Sequence, residues 1–262
     1  MYKHVLPSVT LLTLLAIPVC DLVAQDFEWK GSIRQGDHVE VVGVLGDVTA
    51  VASNGNEVEV TAIIREHRRG NAEDIDIEVI EHGGGVTICA MYPTPRRADR
   101  DNECRPDGRT RNNTNDIDVS VHFTVHVPSG VDFVGRTVNG DVQVESLSGD
   151  VEAHSVNGDV DVSTSGLAQA STVNGSIRAQ VGRADWDGSL EFETVNGNIT
   201  VELPDGVGAD VTAATVNGGI ETDFPLTVRG RFSSKRISGI IGEGGRRLWL
   251  ETVNGSIRIL RR

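Results

Sequence analysis

Acidic side chains are the residues of this sequence with the clearest potential for chemistry. Asp185 and Asp187 flank Trp186, and Glu191 lies nearby. Two carboxylates beside an aromatic ring are what sugar-cleaving enzymes use for acid and base catalysis. The same residues also fit a turn at Asp187-Gly188 between two strands, where aspartates are common. We favour the turn and predict no catalytic residues, with a carbohydrate-active enzyme that uses these three acids as the alternative.

A second set of carboxylates recurs with a regular spacing. Asp141, Asp150 and Asp159 each follow a glycine and precede a valine, at intervals of nine residues. Calcium-binding β-rolls need a second glycine and a further aspartate in each unit, and both are missing here. We therefore interpret these aspartates as outward-facing residues after tight turns. The seven histidines show no ligand spacing either, because His122 and His126 fall on an alternating strand. The sequence predicts no metal and no cofactor.

The three cysteines suggest one disulfide. Cys20 falls inside an N-terminal segment that reads as a leader, and Ile17-Pro18-Val19 before it does not fit the small residue that a lipid-anchor signal needs. Cys89 and Cys104 remain, an even number that favours a disulfide in an oxidising compartment. Such a bond would close a loop of about 15 residues and contribute about 3 kcal/mol in the chain-entropy account.

The loop around these cysteines has a charge of its own. Between Pro93 and Asn115 six arginines outnumber four acidic residues, in a protein whose formal net charge is −14. The arginines are Arg96, Arg97, Arg100, Arg105, Arg109 and Arg111. A long loop without its own periodicity is either functional or a solvated insertion. Our hypothesis is that this loop meets an anionic partner in the cell envelope.

The ends and the overall charge indicate where the protein acts. Lys3 and His4 precede an apolar run from Val5 to Ile17, and Ala24 is a small residue suited to cleavage. This order predicts a signal peptide at residues 1–24 and an exported protein without a membrane-spanning segment, in the periplasm, at the cell surface or outside the cell. The negative net charge argues against nucleic acid or an anionic membrane as partner.

The elements that would position these groups are set by a repeat. Val-Asn-Gly occurs six times, and successive asparagines are 18, 17, 22, 21 and 37 residues apart. The asparagines are Asn139, Asn157, Asn174, Asn196, Asn217 and Asn254. Ile237-Ser238-Gly239 divides the longest gap and is interpreted as a degenerate seventh copy. A hydroxyl residue stands two positions before each asparagine, and mostly β-branched residues stand three and five positions after it.

The alternation after each turn predicts a strand with one buried and one wet face. Asn-Gly fits a hairpin turn, but it also fits the corner of a β-helix, where stacked asparagines can form a hydrogen-bonded ladder. Because successive units are nearly identical, we favour an all-β fold, a single-stranded right-handed parallel β-helix, or β-solenoid. Its repeats occupy residues 131–262, and Arg258, Arg261 and Arg262 are expected to protect an exposed last strand.

The N-terminal half carries a fainter form of the same pattern. Val44-Leu45-Gly46-Asp47-Val48 has leucine at the asparagine position, and alternating strands flank the cysteine-bounded loop at about 89–115. We interpret residues 25–130 as less regular coils and a cap, continuous with the solenoid.

These residues resemble the bacterial putative-adhesin family of β-strand-repeat domains of unknown function. The resemblance rests on the Thr-Val-Asn-Gly-Asp/Ser-Ile/Val units and on residues 203–204, 223–228, 230–232 and 252–258. It is strong from Phe133 onward and looser over residues 27–128. The resemblance implies a right-handed β-helix-like fold, export and a role in adhesion or envelope sensing, and it supplies no catalytic residues. Some members join a membrane-spanning segment to this domain.

Together these patterns predict a non-catalytic, adhesin-like binding module of the envelope, whose partner is a glycan or protein of the cell surface. A purely structural spacer is a further alternative to the enzyme.

Overall fold

Almost the whole described chain is β-structure arranged in two large sheets. The computed structural model describes residues 25–114, 117–228 and 235–262. Sheet 1 has ten strands and sheet 2 has eleven, and both are mixed. One short 3-10 helix, Ala72–Asp74, interrupts the strands of the first half.

The strands of sheet 1 are β1 (Gln25–Gly31), β3 (Val48–Ser53), β4 (Val58–Glu66), β7 (Val119–Pro128), β9 (Val142–Leu147), β11 (Val160–Thr164), β13 (Ile177–Val181), β15 (Ile199–Leu203), β17 (Ile220–Thr222) and β21 (Ile257–Arg261). Those of sheet 2 are β2 (His38–Val42), β5 (Asp76–His82), β6 (Gly85–Met91), β8 (Asp132–Arg136), β10 (Val151–His154), β12 (Ala168–Ser171), β14 (Ser189–Asn196), β16 (Ala209–Asn217), β18 (Leu226–Val228), β19 (Arg236–Ile241) and β20 (Arg247–Asn254).

The central strands form coils that stack in parallel. In each coil the chain runs along one strand of sheet 2, turns at Asn-Gly, and continues along one strand of sheet 1. Strand β9 pairs in parallel with β11, β11 with β13, and β13 with β15. In sheet 2, β8 pairs in parallel with β10, and β10 with β12. Asn-Gly is therefore a corner between sheets, and the hairpin alternative is wrong.

The buried columns follow from the alternation in the sequence. Val142, Val160, Ile177, Ile199 and Ile257 lie one above another in sheet 1 and are at most 1% exposed. The second predicted column, two residues further along each strand, is equally buried up to the last coil. Each fully buried aliphatic side chain of this kind contributes about 1.5–3 kcal/mol, so the columns supply a core with few aromatic rings.

The order of coils differs from the order of the chain at the C-terminal end. Strand β21 lies between β15 and β17, and β20 lies between β14 and β16. The last repeat of the chain is thus inserted inside the stack, and the expectation that its arginines protect an exposed last strand is wrong. Arg258 instead lies 3.2 Å from Glu221 of the neighbouring coil.

The segment interpreted as a degenerate seventh copy is not a corner. Ile237-Ser238-Gly239 lies within β19, which pairs antiparallel with β16 and with β18. Strands β18 and β19 thus form one end of sheet 2. The copy was misread because a lone Ser-Gly after an isoleucine also fits an ordinary strand.

The N-terminal half extends the same two sheets. Strands β2 and β3 form the coil next to β8 and β9, and Leu45 bridges in parallel to Asn139, as its place in the frame predicts. Strands β6 and β7 form the outermost coil, and the antiparallel strands β1, β4 and β5 flank it.

The predicted signal peptide at residues 1–24 and Cys20 lie outside the described residues. Within the part of the chain that the structure describes, no helix is long and apolar enough to cross a membrane.

Candidate functional site: the arginine loop and the corner columns

The arginine loop, defined here as residues 93–114, joins β6 to β7 at one end of the coil stack. The predicted disulfide between Cys89 and Cys104 is present, with the two Cα atoms 5.9 Å apart, and both cysteines are buried against Val42 and Met91. The bond fixes the middle of the loop to β6 and to the outer face of sheet 2. The loop is therefore held close to the solenoid.

Hydrogen bonds inside the loop give it a defined shape. Glu103 and Arg111 form a small antiparallel bridge, with N···O distances of 2.8 and 2.9 Å. The side chain of Asn102 donates to the Tyr92 carbonyl at 2.8 Å and accepts from the Asn113 backbone N–H at 2.8 Å. Tyr92 itself is buried and donates to the Val119 carbonyl at 2.7 Å, and burial raises the pKa of its hydroxyl to about 12.

A buried carboxylate anchors the loop to the solenoid. Glu40, 1% exposed on β2, accepts backbone N–H bonds from Asp107 and Gly108 at 3.0 Å each. It also accepts from the Thr87 hydroxyl at 2.9 Å and from Arg136 Nε at 3.0 Å. Burying a carboxylate is costly unless it is paired and hydrogen-bonded, and these four donors satisfy Glu40.

The backbone of the loop is locally strained where it reaches this carboxylate. Asp107 and Gly108 both have positive φ, 59° and 68°, which is unfavourable for aspartate. The backbone N–H groups of these two residues both donate to Glu40, as adjacent N–H groups do in turns that bind anions. The Asp107-Gly108 turn therefore forms a binding site for the carboxylate of Glu40.

Arg136 continues this network across sheet 2. Its Nη2 lies 3.3 Å from Glu152, and Glu152 lies 3.6 Å from His154 Nε2. The His154 contact, followed by the charge of Arg136, lowers the pKa of Glu152 below its usual range despite partial burial. His154 Nδ1 is 2.7 Å from the Ser171 hydroxyl. A chain of polar contacts thus runs over strands β2, β8, β10 and β12.

The structure separates the six loop arginines into two groups. Arg105 lies 2.6 Å from Glu103 and Arg109 lies 2.9 Å from Asp107, so both are neutralised within the loop. Glu103 raises the pKa of Arg105, and Arg105 in turn lowers the pKa of Glu103. Arg111 is half-buried and donates to the Asp101 carbonyl at 3.0 Å.

The other arginines have no acidic partner among the described residues. Arg96, Arg97 and Arg100 are exposed. Arg97, Arg100 and Arg111 line a shallow open groove together with Asp99 and Asn113. The groove is therefore a concave basic surface on an acidic protein, and Arg96 lies outside its lining.

The corner asparagines form one continuous ladder. Each of them except Asn139 donates its side-chain amide N–H to the side-chain oxygen of the asparagine in the adjacent coil on the Asn139 side, at 2.7–2.8 Å. The order along the stack is Asn139, Asn157, Asn174, Asn196, Asn254 and Asn217. Leu45 ends the ladder beyond Asn139.

Two further columns of residues contact one another at the same corner: the hydroxyl residues two positions before each asparagine, and the glycines that follow it. Thr194 Oγ1, for example, donates to the carbonyl of Gly175 in the neighbouring coil at 2.9 Å, and the other five hydroxyl residues make the equivalent bond. The backbones approach so closely there that a Cβ on Gly197 would overlap that same carbonyl. Each position of the Thr-Val-Asn-Gly unit except the valine is therefore required for stacking.

The aspartates considered for calcium binding also stack the coils. Asp141 Oδ1 accepts the backbone N–H of Asp159 at 2.8 Å, and Asp159 Oδ1 accepts that of Ser176 at 2.7 Å. Asp150 Oδ1 accepts the backbone N–H of Leu167 at 2.9 Å at the opposite corner. Their oxygens satisfy backbone donors that would otherwise lack partners.

The structure does not assemble the candidate acids around an exposed Trp186. Trp186 is 4% exposed, and its indole N–H donates to the Arg247 carbonyl at 3.0 Å, so it offers no ring face to a sugar. Asp185 lies 3.8 Å from Arg183. Glu191 lies on β14 and pairs in register with Trp249. The sequence analysis did not predict that Trp249 lies beside Glu191.

Three glutamates share the outer face of sheet 2 beside Trp249. Glu193 pairs in register with Glu251, and Glu191 is two residues away on the same face. Partial burial first, and then the charges of Glu191 and Glu251, raise the pKa of Glu193 above its usual range.

Sequence reasoning also missed Glu40 and Arg136. In His-Val-Glu-Val-Val, Glu40 occupies an outward position of an alternating strand, so the pattern predicts a solvent-exposed side chain. Burial comes from the loop that folds over it, and no local signal indicates that contact.

Comparison with known proteins gives a family match for part of the chain. Residues 164–260 match the Toastrack DUF4097 family. No curated protein matches the chain.

Two solved structures can be aligned over most of the length. One is described as a putative cell adhesion protein from Clostridium sporogenes, with 11% identity and a TM-score of 0.47, covering 91% of this chain and 100% of the other. The second is described as a putative adhesin from Bacteroides fragilis, with 15% identity and a TM-score of 0.37, covering 90% of this chain and 97% of the other. The family match confirms the kinship predicted from the repeats: the chain carries a Toastrack DUF4097 domain over residues 164–260, a β-strand-repeat domain of unknown function.

Proposed function

We propose that this protein is a non-catalytic binding module of the bacterial envelope, and that the arginine loop contacts an anionic group of its partner. The observation that carries the proposal is the groove lined by Arg97, Arg100 and Arg111, in which these arginines outnumber the acidic residue Asp99. Such a groove attracts phosphate, sulfate or carboxylate groups, and arginine binds these in bidentate geometry.

The stacking of the coils supports the non-catalytic part of the proposal. The hydroxyl, asparagine and aspartate side chains of the repeat and the backbone of its glycines are engaged in contacts between coils, as described above. Function is left to residues outside the repeat. The names of the two aligned structures describe adhesion and are consistent with a binding role. Export by a signal peptide at residues 1–24 and residence in the envelope are part of the same proposal.

We propose further that the coils wind in a right-handed sense. Strands β9 and β11 are parallel neighbours in sheet 1, and the chain passes between them through β10 of sheet 2. Connections between parallel strands of one sheet are right-handed in about 98% of cases.

The proposal is tested by charge reversal with a matched control. Arg97→Glu with Arg100→Glu is expected to abolish saturable binding to an array of sulfated, phosphorylated and uronate-bearing glycans. Arg105→Glu with Arg109→Glu changes the net charge equally within the same loop, at positions already neutralised by neighbouring acids, and is expected to bind more nearly like the wild type. Binding should also weaken as salt is raised. Equal loss in both variants, or unchanged binding in the first, would refute the role of the groove.

A glycan-cleaving site on sheet 2 is the second candidate. It is favoured by the partly exposed Trp249 beside Glu191 and Glu193, since a raised carboxyl pKa suits a general acid. If the wild-type protein cleaves a bound glycan and the Glu193→Gln variant does not, the result would support this candidate. Binding without product would exclude that glycan as a substrate.

A further inference from the structure

Asn-Gly pairs are chemically labile in flexible chains, and this protein contains seven of them. The nitrogen of the glycine can attack the side-chain Cγ of the asparagine, because no glycine side chain hinders the approach. A C–N bond forms, the bond to the side-chain nitrogen breaks, and ammonia leaves. Water then opens the resulting five-membered succinimide to aspartate or isoaspartate. One water is consumed, one ammonia is released, and nothing is oxidised or reduced.

Inside the coil stack both reacting groups are held. At Asn174 the side-chain nitrogen donates to Asn157 at 2.7 Å, and the side-chain oxygen accepts from Asn196 at 2.7 Å. The attacking nitrogen of Gly175 donates to the Asn196 backbone carbonyl at 3.0 Å. Reaction therefore requires that bonds between neighbouring coils open first.

The same backbone bond protects the four other pairs inside the stack. The donors are Gly140, Gly158, Gly197 and Gly255, with N···O distances of 3.0–3.1 Å. Asn139 receives this protection even though it stands at the Leu45 end of the ladder. Its glycine still donates to the next coil.

The sixth corner, Asn217-Gly218, lies on the last coil of the stack, and the described part of the chain provides no equivalent protecting bond there. Among the described residues no acceptor lies within hydrogen-bond reach of the Gly218 N–H, and no donor reaches Asn217 Oδ1. One side-chain bond remains, from Asn217 Nδ2 to Asn254 Oδ1 at 2.7 Å. The preceding valine, Val216, is 56% exposed, against 37–40% for the valines of the other five corners. Beyond Gly218, a Cβ on Gly219 would meet nothing within 4 Å.

We propose that Asn217 is a site of spontaneous deamidation in the folded protein, with water as the co-reactant. The product places a carboxylate opposite Asn254 Oδ1, so that two acceptors face each other where a donor and an acceptor met. The isoaspartyl form also lengthens the backbone between β16 and β17. Both changes loosen β17, the edge strand of sheet 1.

The seventh pair, Asn54-Gly55, provides an internal reference. It lies in the exposed turn between β3 and β4, where Gly55 N–H donates to the nearby Ser53 hydroxyl at 3.0 Å. This short local bond is open to solvent, and Asn54 is expected to deamidate readily.

The proposal is tested by incubating the folded protein at mildly alkaline pH and quantifying aspartate and isoaspartate at each pair by peptide mass spectrometry. Asn217 and Asn54 are expected to lead, with the five interior asparagines slower by roughly tenfold or more because their protecting bonds must open. Asn254 is the matched comparison, since both asparagines follow Thr-Val and precede glycine. In denaturant the pairs should react at similar rates. A native rate at Asn217 as low as that at Asn254 would overturn the proposal.

Two variants test the structural consequence. Asn217→Gln keeps an amide but would have to close a larger ring, so modification at this position should disappear. Asn217→Asp reproduces one product and is expected to increase hydrogen exchange in β17 while leaving β11 unchanged. Unchanged exchange of β17 in that variant would overturn the predicted loosening.

Discussion

Replacing Glu40 by alanine should destabilise the protein far more than replacing an exposed carboxylate of sheet 2. The carboxylate is 1% exposed and receives four hydrogen bonds, two of them from the Asp107-Gly108 turn of the arginine loop. Alanine leaves those two N–H groups and one face of Arg136 without an acceptor in a buried place.

The size of the effect follows from burial. Glu40 accepts from the Asp107 and Gly108 N–H groups and from the Thr87 hydroxyl. Each buried donor left without an acceptor costs about 1–3 kcal/mol, so the total loss should be about 3–5 kcal/mol. For a protein of this length, 1 kcal/mol corresponds to about 2–4 °C in Tm, so the melting temperature should fall by roughly 10 °C. The turn at Asp107-Gly108 also loses its anchor, and trypsin should then cleave faster after Arg109.

A matched control lies on the other side of the same arginine. Glu152 contacts Arg136 at 3.3 Å but is 46% exposed, and exposed ion pairs contribute about 0–1 kcal/mol. Chemical denaturation of Glu40→Ala and Glu152→Ala therefore separates burial from charge. If the two variants lose equal stability, or if Glu40→Ala loses less than about 1 kcal/mol, the anchoring role assigned to Glu40 is refuted.

Three further perturbations test the corner, the acidic face and the loop. Gly197→Ala should cost about 1–3 kcal/mol or more by urea denaturation, because its Cβ would overlap the neighbouring coil, whereas Gly219→Ala should stay within about 0.5 kcal/mol. The raised folded-state pKa of Glu193 means that its ionisation opposes folding, so stability from this group falls as pH rises from the ordinary value of 4.5 through the folded pKa. Glu193→Gln should therefore raise Tm at neutral pH and give no gain below that ordinary value. Replacing Cys89 and Cys104 together by serine should cost about 3 kcal/mol, given their sequence separation of 15.

Each of these expectations has a control. A large loss in Gly219→Ala would show that glycine matters at the corner for a reason other than close approach. Glu202 lies on the outer face of sheet 1 between Gln180 and Leu260, without a neighbouring glutamate in register. An equal rise in Tm for Glu202→Gln would therefore contradict the like-charge explanation for Glu193. Reduction of the wild-type disulfide should match the serine variant, and unchanged stability on reduction would refute the loop-entropy account.

The repeating part of the fold could be predicted because its rules are local. The alternation of β-branched and polar residues determines which column of each strand is buried, and Asn-Gly marks each corner. Leu45 was recognised as a corner from its neighbours alone, and it does pair with Asn139. Cys89 and Cys104 were paired by elimination.

The order of the coils could not be predicted from the same rules. Asn254 and Asn217 have almost the same flanking residues, so stacking Asn196 on either one satisfies the same hydrogen bonds. The structure places Asn254 between Asn196 and Asn217. The 37-residue gap before Asn254 was the available signal, since a gap of that length leaves room for β18 and β19 outside the stack.

The arginine groove and the coil that carries Asn217 lie at opposite ends of the coil stack. The arginine loop leaves the coil of β6 and β7, and Asn217 lies on the coil of β16 and β17, with six coils between them. Seven spacings of about 4.8 Å separate the two end coils, about 34 Å in total, which is well beyond the screening length of about 8 Å at physiological salt. Deamidation at Asn217 should therefore leave glycan binding by Arg97 and Arg100 unchanged. If binding falls as the deamidated fraction grows, the coils transmit strain along the stack, and the two ends cannot be treated as independent sites.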